Sequence, residues 1–387
     1  MFAGIGCYSV PARIRGRSRN RFRCLPWRAG RTSSLPHERV FCVIDEICVI
    51  GFPSRLGGAD TELDHQIRVW QHLGVKVHLI HTFPLDHNCH LMQMEKRGCV
   101  VHRPRDWAAC EGKHVIAYCN SGFLENIEAI RALARTTTFV NCMTWLFEKE
   151  KEAHKRGLID FFVYQTNHVI DKVGAELRAI NACYRPIKID PYFHLSDFPF
   201  TEERSDETFR FARISRSDPA KFHPSQLWIY ETMVAPVLKS GIMLGVDNKI
   251  REKIGTEPDW IRAFPAGEVS VKSVYECSHC LILASETYEN LPRIAFEAMA
   301  SGCLLIVDDR GGWQELVKHR ETGYLCKDPR DFVYYASRAA YEIQERNQMV
   351  KNAREWLNER YSLELAGEQW LGFFETLSKT EMNRSPA

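Results

Sequence analysis

Short, unbroken apolar runs alternate with amphipathic stretches along most of this chain, and no other feature limits its fold as strongly. Five such runs lie in the first half and are predicted strands: ICVIGF (47–52), VKVHLIH (75–81), HVIAYC (114–119), TTFVNC (137–142) and DFFVYQ (160–165). Strands that are apolar at nearly every position are typical of a parallel sheet with both faces covered. Because helical stretches separate the runs, the sequence predicts an α/β domain.

The same pattern starts again after DPYFHLSDFPFTEERSDE (190–207), a segment rich in proline, aromatic and charged residues that is predicted to be a linker. Four more strands are predicted after it: FRFARI (209–214), IMLGVD (242–247), HCLILA (279–284) and CLLIVDD (303–309). A chain of 387 residues suits two domains of medium size. Open parallel sheets bind ligands outside the carboxyl ends of their strands, so both domains are expected to turn those ends toward a shared cleft.

Charge is distributed unevenly between the beginning of the chain and the rest. The net charge is +2, but residues 11–31 contain eight arginines and the first acidic residue is Glu38. Residues 32–387 are mildly acidic, with 43 basic and 49 acidic side chains. The basic arm, residues 1–37, is predicted to be disordered and without an essential function. Contact with nucleic acid or anionic lipid, a transit-like segment and an extended, mistranslated start are the alternatives.

The sequence predicts neither export nor a membrane span. No uninterrupted apolar stretch approaches the roughly 20 residues of a membrane helix, and the basic arm lacks the apolar region of a signal peptide. The 14 cysteines are scattered, and Cys277 and Cys280 lack the second pair that a zinc site needs. Free thiols are typical of a reducing compartment. We therefore expect a cytoplasmic protein, with peripheral membrane contact left open and no specific nucleic-acid partner.

The stretch ASETYENLPRIAFEAMASG, residues 284–302, carries the most detailed functional signal. It is predicted to be a strand end, a loop and a helix that begins near Leu291, with Asn290 as the N-cap and Pro292 in the first turn. The N–H groups and the dipole at a helix start favour an anion in the cleft. Glu289 precedes the helix and Glu297 lies on it, so both carboxylates are candidates to accept hydrogen bonds from sugar or ribose hydroxyls.

Glu289 and Glu297 also have a simpler interpretation. Together with Arg293 they are spaced i, i+4 and i+8, which is the spacing of a salt-bridged ladder on a helix surface. Such pairs are common, so the two glutamates considered alone favour the ladder.

Three other loops after predicted strands carry residues suited to a common ligand. Gly57 and Gly58 follow the first strand, where a chain without side chains can approach a ligand closely. Arg213, Arg216 and Lys221 follow the first strand of the second domain, and clustered cations suit a diphosphate. A second pair of glycines follows the last predicted strand. Four cleft-facing loops of this kind favour a binding site over a surface ladder.

ENLPRIAFEAMASG resembles the E-x7-E signature of retaining glycosyltransferases with the GT-B fold, especially glycosyltransferase family four (glycosyl transferases group 1), with Glu289 and Glu297 as the two glutamates. CLLIVDDRGGWQELVKHRETGYL (303–325) is similar to the segment that follows this signature in the family. The Arg/Lys loop and the first GG loop match in position. The resemblance covers roughly residues 45–377.

The resemblance implies a domain organisation. Residues 38–200 form a Rossmann-like domain on the acceptor side, and residues 207–361 form a Rossmann-like domain that binds a nucleotide sugar. Both are doubly wound α/β domains facing an interdomain cleft. Residues 362–378, which are amphipathic, are expected to form a helix that packs back on the first domain.

The resemblance also implies an activity, the transfer of a sugar from a nucleoside-diphosphate donor to a glycan, lipid or small-molecule acceptor, with retention of anomeric configuration. Arg213, with Arg216 as the alternative, and Lys221 would hold the diphosphate. Glu297 would contact the ribose, and Glu289 would contact the transferred sugar as the candidate catalytic residue.

The remaining implied contacts come from the backbone. The backbone at Asn290, Leu291 and Pro292 would contact the sugar and phosphate, and Gly57 and Gly58 would approach the donor.

The resemblance also bears on cofactors. Because no acidic pair for a metal is recognisable, neither an essential metal nor another cofactor is expected. No protein nucleophile is required if the diphosphate itself acts as the base.

The sequence departs from the family pattern in two places. The loop reads ENLP rather than the frequent glycine-rich EGFG, and the first domain offers no histidine at 139–150, where many members place one near the donor sugar. Three alternatives therefore stay open: a nucleotide-sugar epimerase or hydrolase, a catalytically inactive scaffold that binds a sugar or a partner, and a dinucleotide-dependent oxidoreductase. The oxidoreductase is disfavoured because the glycine spacing of a pyrophosphate loop is absent after both first strands.

Overall fold

The computed structural model of the protein describes residues 44–54, 57–82, 91–202 and 204–382, and the predicted basic arm lies outside them. The strands are β1 (Glu46–Ile50), β2 (Lys76–Ile80), β3 (Val100–His102), β4 (His114–Tyr118), β5 (Thr136–Val140), β6 (Phe161–Tyr164), β7 (Pro186–Lys188), β8 (Thr208–Ile214), β9 (Leu238–Leu244), β10 (Ile261–Phe264), β11 (Cys280–Leu283), β12 (Leu304–Asp308) and β13 (Gly323–Cys326).

The helices alternate with these strands. They are α1 (Gly58–His72), α2 (Leu91–Lys96), α3 (Ser121–Glu125), α4 (Ile127–Leu133), α5 (Glu148–Lys155), α6 (Asn167–Ile180), α7 (Gln226–Thr232), α8 (Asn248–Ile254), α9 (Val271–Cys277), α10 (Arg293–Ser301), α11 (Trp313–Leu316), α12 (Pro329–Tyr341), α13 (Ile343–Arg360) and α14 (Leu363–Met382). No helix among the described residues combines the length and the apolar composition needed to cross a membrane.

The strands form two parallel sheets. The first has the order β3-β2-β1-β4-β5-β6-β7 and the second the order β10-β9-β8-β11-β12-β13, with parallel pairing throughout. In each sheet the strand order reverses once, because the chain adds strands first on one side of the starting strand and then on the other. The reversals lie between β1 and β4 and between β8 and β11. A crevice for ligands opens at such a reversal, because the loops from the two strands lead to opposite faces of the sheet.

Each sheet is buried between two helical layers, as the apolar strands predicted. In the second domain α7 and α12 cover one face, while α9 and α10 cover the other. In the first domain α1 and α14 share a core, where the rings of Trp70 and Trp370 lie 5.0 Å apart and nearly perpendicular. The long helix α14 therefore returns from the second domain and completes the core of the first.

Each of the nine runs predicted as a strand contains one, whereas four strands were missed. These are β3, β7, β10 and β13, the two edge strands of each sheet. Each has only three or four residues. β3 and β7 are half-buried throughout, and β10 has one buried residue, so these strands leave little periodic signal in the sequence. β13 is largely buried, but its four residues are too few to show a period.

The start of α10 differs from the prediction. The helix begins at Arg293, directly after Pro292, and no side chain caps it. The prediction that Asn290 is its N-cap is therefore wrong, and the Asn290 side chain bonds elsewhere. The helix ends as expected for a glycine stop, because Gly302 has φ of 76°, in the left-handed region.

Candidate functional site

Lys221 and Glu289 meet at the reversal point of the second sheet. Lys221 follows β8 and Glu289 follows β11, and the Lys221 Nζ lies 2.5 Å from the Glu289 Oε1. The side chains are 22% and 14% exposed, so water screens the pair only in part. The residue suited to a diphosphate and the carboxylate suited to a sugar thus lie together. The ladder with Arg293 does not form, because the Arg293 guanidinium contacts the first domain instead.

Of the two candidate arginines, Arg213 holds the loop rather than facing the cleft. Its side chain is 1% exposed and donates hydrogen bonds to the Gln226 Oε1 at 3.1 Å, to the Ser215 Oγ at 2.8 Å and to the Lys221 carbonyl oxygen. Burial lowers the pKa of Arg213 to about 10, which still leaves it charged at neutral pH. A guanidinium committed in this way fixes the chain on which Lys221 stands.

Arg216 is the accessible cation of the same loop. Its side chain is 65% exposed and forms a 3.6 Å ion pair with Asp218. Because Arg216 needs to break only this long, solvated pair to reach an anion, the geometry favours it over Arg213 as a partner for phosphate.

The first glycine pair lies against the start of α10. Gly57 has φ of 92°, a conformation that other residues rarely adopt. A Cβ atom at Gly58 would lie 3.7 Å from the Arg293 Cγ, which is ordinary contact distance. The first-domain GG loop and the helix of the E-x7-E stretch therefore face each other across the cleft.

The second glycine pair, Gly311 and Gly312, packs directly against the backbone of the Glu289 loop. The Gly312 N–H donates to the Glu289 carbonyl oxygen at 2.8 Å. A Cβ atom at Gly312 would lie 1.3 Å from the Asn290 carbonyl oxygen, and one at Gly311 would lie 2.7 Å from that of Glu289. No larger residue fits, so both glycines are explained by this backbone packing.

Residues 290–292 can offer fewer backbone donors than the resemblance implies. Pro292 has no N–H, so only Asn290 and Leu291 could donate to a phosphate or a sugar from this segment. The Leu291 side chain is buried in the core beside α10.

Glu297 is not part of the Lys221–Glu289 pair. Its carboxylate accepts a hydrogen bond from the Tyr275 hydroxyl of α9 at 3.1 Å. Burial raises the pKa of Glu297, and the nearby charges of Arg293 and Lys272 oppose that rise. The second glutamate of the E-x7-E spacing is thus placed between α9 and α10, more than one helical turn from the first.

A cavity of about 350 Å³ opens beside this site, at the carboxyl ends of β11, β12 and β13. Ser285, Asp308 and Arg310 line it, and none of the predicted donor residues does. The Ser285 N–H and hydroxyl both donate to the Asp308 Oδ2 at 3.0 Å. Burial raises the pKa of Asp308 to about 6. Within the described ranges, no group of three His, Cys, Asp or Glu side chains is arranged to hold a metal ion.

Comparison with known proteins relates this geometry to known folds and sequences. Residues 261–356 match the family model described as glycosyl transferases group 1. The chain is 27% identical to glycosyltransferase 1 domain-containing protein 1 of Xenopus tropicalis over 146 residues, 38% of this chain and 41% of that protein. It is 34% identical to the putative glycosyltransferase YtcC of Bacillus subtilis over 87 residues, 22% of this chain and 21% of that protein. These matches therefore span less than half of the relatives' own length.

Solved structures are similar over most of the chain. Anabaena HepE in complex with UDP and glucose superposes with a TM-score of 0.67 at 13% identity, covering 86% of this chain and 99% of that one. Sucrose-phosphate synthase of Thermosynechococcus elongatus superposes with a TM-score of 0.65 at 13% identity, covering 87% and 100%. The chain has the GT-B fold.

In this GT-B protein, buried polar side chains join the two domains at the cleft, through contacts that the sequence analysis did not predict. The Arg293 guanidinium donates to the His65 Nδ1 at 2.7 Å and to the Tyr192 carbonyl oxygen at 3.3 Å. The Asn290 amide bonds to residues at the ends of β5 and β6, among them Gln165. A polar residue at the carboxyl end of an apolar run, such as Gln165 at the end of DFFVYQ, was the signal that could have identified these contacts.

Asp60 is a further residue near the cleft that the sequence analysis did not name. It stands in the first turn of α1, after the GG pair, and burial raises the pKa of its carboxyl to about 7. Among the described residues, no hydrogen bond or ion pair to this carboxylate is present. Asp60 therefore titrates close to neutral pH on the first-domain side of the cleft.

The contact between His65 and Arg293 predicts a pH effect on stability. The His65 Nδ1 accepts from Arg293, while its Nε2 faces Asp197 at 3.4 Å, so the ring is neutral. Burial and the charges of Arg293 and Arg68 lower the pKa of His65 from 6.5 to about 4, and Asp197 opposes them. Between pH 6.5 and pH 4, the unfolded chain therefore binds a proton on this ring more readily than the folded chain does. The free energy of unfolding decreases as the pH falls through this range.

We expect urea unfolding to show a smaller loss of stability between pH 7 and pH 5 in His65→Gln than in the unaltered protein. Glutamine keeps an acceptor for Arg293 and cannot titrate. Equal pH dependence in the two proteins would contradict the assignment.

Proposed function

We propose that this protein is a retaining glycosyltransferase that uses a nucleoside-diphosphate sugar. The observation that carries the proposal is the Lys221–Glu289 pair, because an ammonium and a carboxylate 2.5 Å apart lie at the sheet reversal where a GT-B fold has its ligand crevice. A diphosphate needs the cation, and a sugar hydroxyl needs the carboxylate. Each charge partly neutralises the other until a donor separates them.

In the proposed reaction the protein acts through fixed charge. The acceptor oxygen bonds to the anomeric carbon as the bond from that carbon to the diphosphate breaks. The acceptor proton passes to the departing phosphate oxygen, on the same face of the sugar, so configuration is retained. Lys221 and Arg216 stabilise the negative charge on the diphosphate, and preorganised cations of this kind supply much of the rate enhancement in such sites.

The other groups position the donor. Glu289 accepts a hydrogen bond from the transferred sugar, and Glu297 accepts from the ribose after its bond with Tyr275 rearranges. The N–H groups of Asn290 and Leu291, in the loop that precedes α10, would donate to the phosphate or the sugar. The scheme uses no metal, because Lys221 and Arg216 would supply the positive charge for the departing diphosphate.

The similarities support a uridine donor as the first one to test. HepE has been solved with UDP and glucose and with UDP-glucose, although its identity to this chain is low. The acceptor class remains a glycan, a lipid or a small molecule, with contact at a membrane surface as one arrangement that suits a lipid.

Thermal unfolding in the presence of UDP, GDP, ADP and their glucose conjugates tests the proposal. A donor that binds only the folded protein at about 100 times its Kd adds roughly 2.7 kcal/mol to the free energy of unfolding. We expect one base to raise the Tm and the others to leave it unchanged, with the same result in EDTA. If none of these compounds binds, the proposed function fails and a scaffold role is favoured.

Product analysis separates the enzymatic alternatives. NMR of the reaction with donor alone would show an epimerised or free sugar if the protein is an epimerase or a hydrolase. With an acceptor present, we expect a glycoside with the anomeric configuration of the donor, and an inverted product would contradict retention.

A further inference from the structure

We propose that Asn290 is a positioning residue that uses its side-chain amide to fix the Glu289 loop onto the first domain. The proposal rests on the function proposed above, in which Glu289 contacts the transferred sugar. It assigns the Asn290 amide to the interdomain contact rather than to the donor.

The Asn290 side-chain amide forms three hydrogen bonds with residues of the first domain. Asn290 is 5% exposed. Its Oδ1 accepts from the Thr166 hydroxyl at 2.8 Å, and its Nδ2 donates to the Gln165 Oε1 at 2.7 Å and to the Cys142 carbonyl oxygen at 3.1 Å. These partners follow β5 and β6. Both N–H donors of the amide are thus used before any ligand arrives, and its oxygen already accepts one hydrogen bond.

The direction of each bond in this contact is determined. A backbone carbonyl can only accept, so the atom facing Cys142 must be the amide nitrogen of Asn290. That nitrogen also faces the Gln165 Oε1, which leaves the Gln165 Nε2 to donate to the Glu62 carboxylate. Glu62 accepts a further bond from the Tyr118 hydroxyl at 3.2 Å.

Glu62 is the buried end of this chain of hydrogen bonds. It lies on α1 with 3% exposure. Burial raises the pKa of its carboxyl, and the nearby Arg293 charge opposes the rise. A buried carboxylate requires its donors, so a change at Gln165 or Asn290 is transmitted to α1. The contact therefore joins the cleft loop to the core of the first domain.

The opposite side of the Glu289 loop is held by the second domain. The Gly312 N–H donates to the Glu289 carbonyl oxygen, and the Asn290 backbone rests on Gly312 without room for a Cβ atom. Glu289 is thus held from both domains, one side through Gly312 and the other through Asn290. The backbone that carries its carboxylate therefore has contacts from both domains, while the carboxylate itself pairs with Lys221 of the second domain.

This arrangement explains what the glycine-rich form of the loop would lack. A glycine at position 290 has no side-chain amide, so a loop reading EGFG could not form these three bonds. In this chain, then, the Asn290 side chain connects the Glu289 loop to the first domain, next to the separate contact that Arg293 makes with His65 and Tyr192.

We expect Asn290→Ala to lower turnover while leaving nucleotide binding nearly unchanged. The kcat for transfer should fall by about 10- to 100-fold, because a displacement near 1 Å at a reacting group has costs of this order. The Kd for UDP, whose phosphates bind second-domain cations, should change by less than about threefold. Small-angle scattering without ligand should show a larger radius of gyration.

Two further variants sharpen the test. If Asn290 acts through Gln165, the Asn290→Ala/Gln165→Ala double variant should lose little more turnover than either single variant, since residues in one network are not additive. Asn352→Ala is the matched control, because the Asn352 amide donates to the Glu321 carbonyl oxygen within the second domain. It should change neither turnover nor the radius of gyration.

Additive losses in the double variant, or an unchanged radius of gyration in Asn290→Ala, would overturn the proposal. A parallel fall of UDP affinity and turnover would instead assign Asn290 to the donor. The scattering comparison needs no substrate, so it judges the interdomain contact even if the unaltered protein transfers no sugar and the proposed function fails.

Discussion

Replacing Lys221 with alanine is expected to lower the kcat for sugar transfer by about 10²- to 10³-fold while the protein remains folded. This is the usual loss when one preorganised group that stabilises developing negative charge is removed. The change also leaves Glu289 without its ion-pair partner, so the carboxylate would repel the incoming diphosphate. Initial rates with saturating donor, together with the Kd for UDP from calorimetry, measure the two effects.

Lys253→Ala is a closely matched control for this prediction. The Lys253 ammonium pairs with Glu286 on the same loop as Glu289 and donates to the Pro219 carbonyl oxygen at 2.7 Å. Its side chain is 21% exposed, against 22% for Lys221. We expect at most a small loss of stability and nearly normal turnover. Equal losses in both variants, or normal turnover in Lys221→Ala, would refute the role of Lys221.

Trp370→Ala is expected to lower the free energy of unfolding by about 3–5 kcal/mol, which is the usual cost of truncating a buried tryptophan. Trp370 is 0% exposed and packs edge-on against Trp70, with Phe373 and Phe374 on its own helix beside it. The alanine would leave a cavity where α14 meets α1. Urea unfolding followed by circular dichroism measures the change.

The comparison residue is Trp228 on α7, which is 46% exposed. Trp228→Ala removes the same side chain from a position where little contact is lost, so its effect should stay within about 1 kcal/mol. A similar loss in the two variants would show that the contact between α14 and α1 adds nothing beyond the loss of a large side chain.

The central strands of both sheets could be predicted from the sequence, because burial on two faces requires apolar residues at nearly every position. CLIL at 280–283 and LLIVD at 304–308 are examples, and all their side chains are buried. The edge strands could not be predicted in the same way. Val100–His102 and Pro186–Lys188 are half-buried throughout, so polar and apolar residues are tolerated equally.

The candidate site could be predicted only to the level of loops. Spacing placed Lys221 and Glu289 at the ends of strands that turned out to be neighbours, but it could not show which side chains face inward. Arg213 illustrates the difficulty, since its guanidinium bonds to Gln226 and to the backbone of its own loop. A cation that supports a loop and one that binds a ligand have the same sequence signature.

Asn290 is a second residue whose role could not be predicted from its local sequence. An asparagine before a helix and next to proline is a strong N-cap signal. In this chain the Asn290 side chain forms tertiary contacts instead of capping the helix. Its hydrogen-bond partners are Gln165 and Thr166, which lie more than a hundred residues earlier in the chain. Local patterns cannot report partners that are distant in the chain.

The return of α14 to the first domain has a consequence for how the protein is made. On the ribosome, the strands and helices of the first sheet emerge early and can begin to collapse. The face of α1 that packs against Trp370 nevertheless lacks this partner until the entire second sheet has been translated and α14 has emerged. The core of the first domain is therefore completed only after α14 has emerged, although most of its strands are translated much earlier.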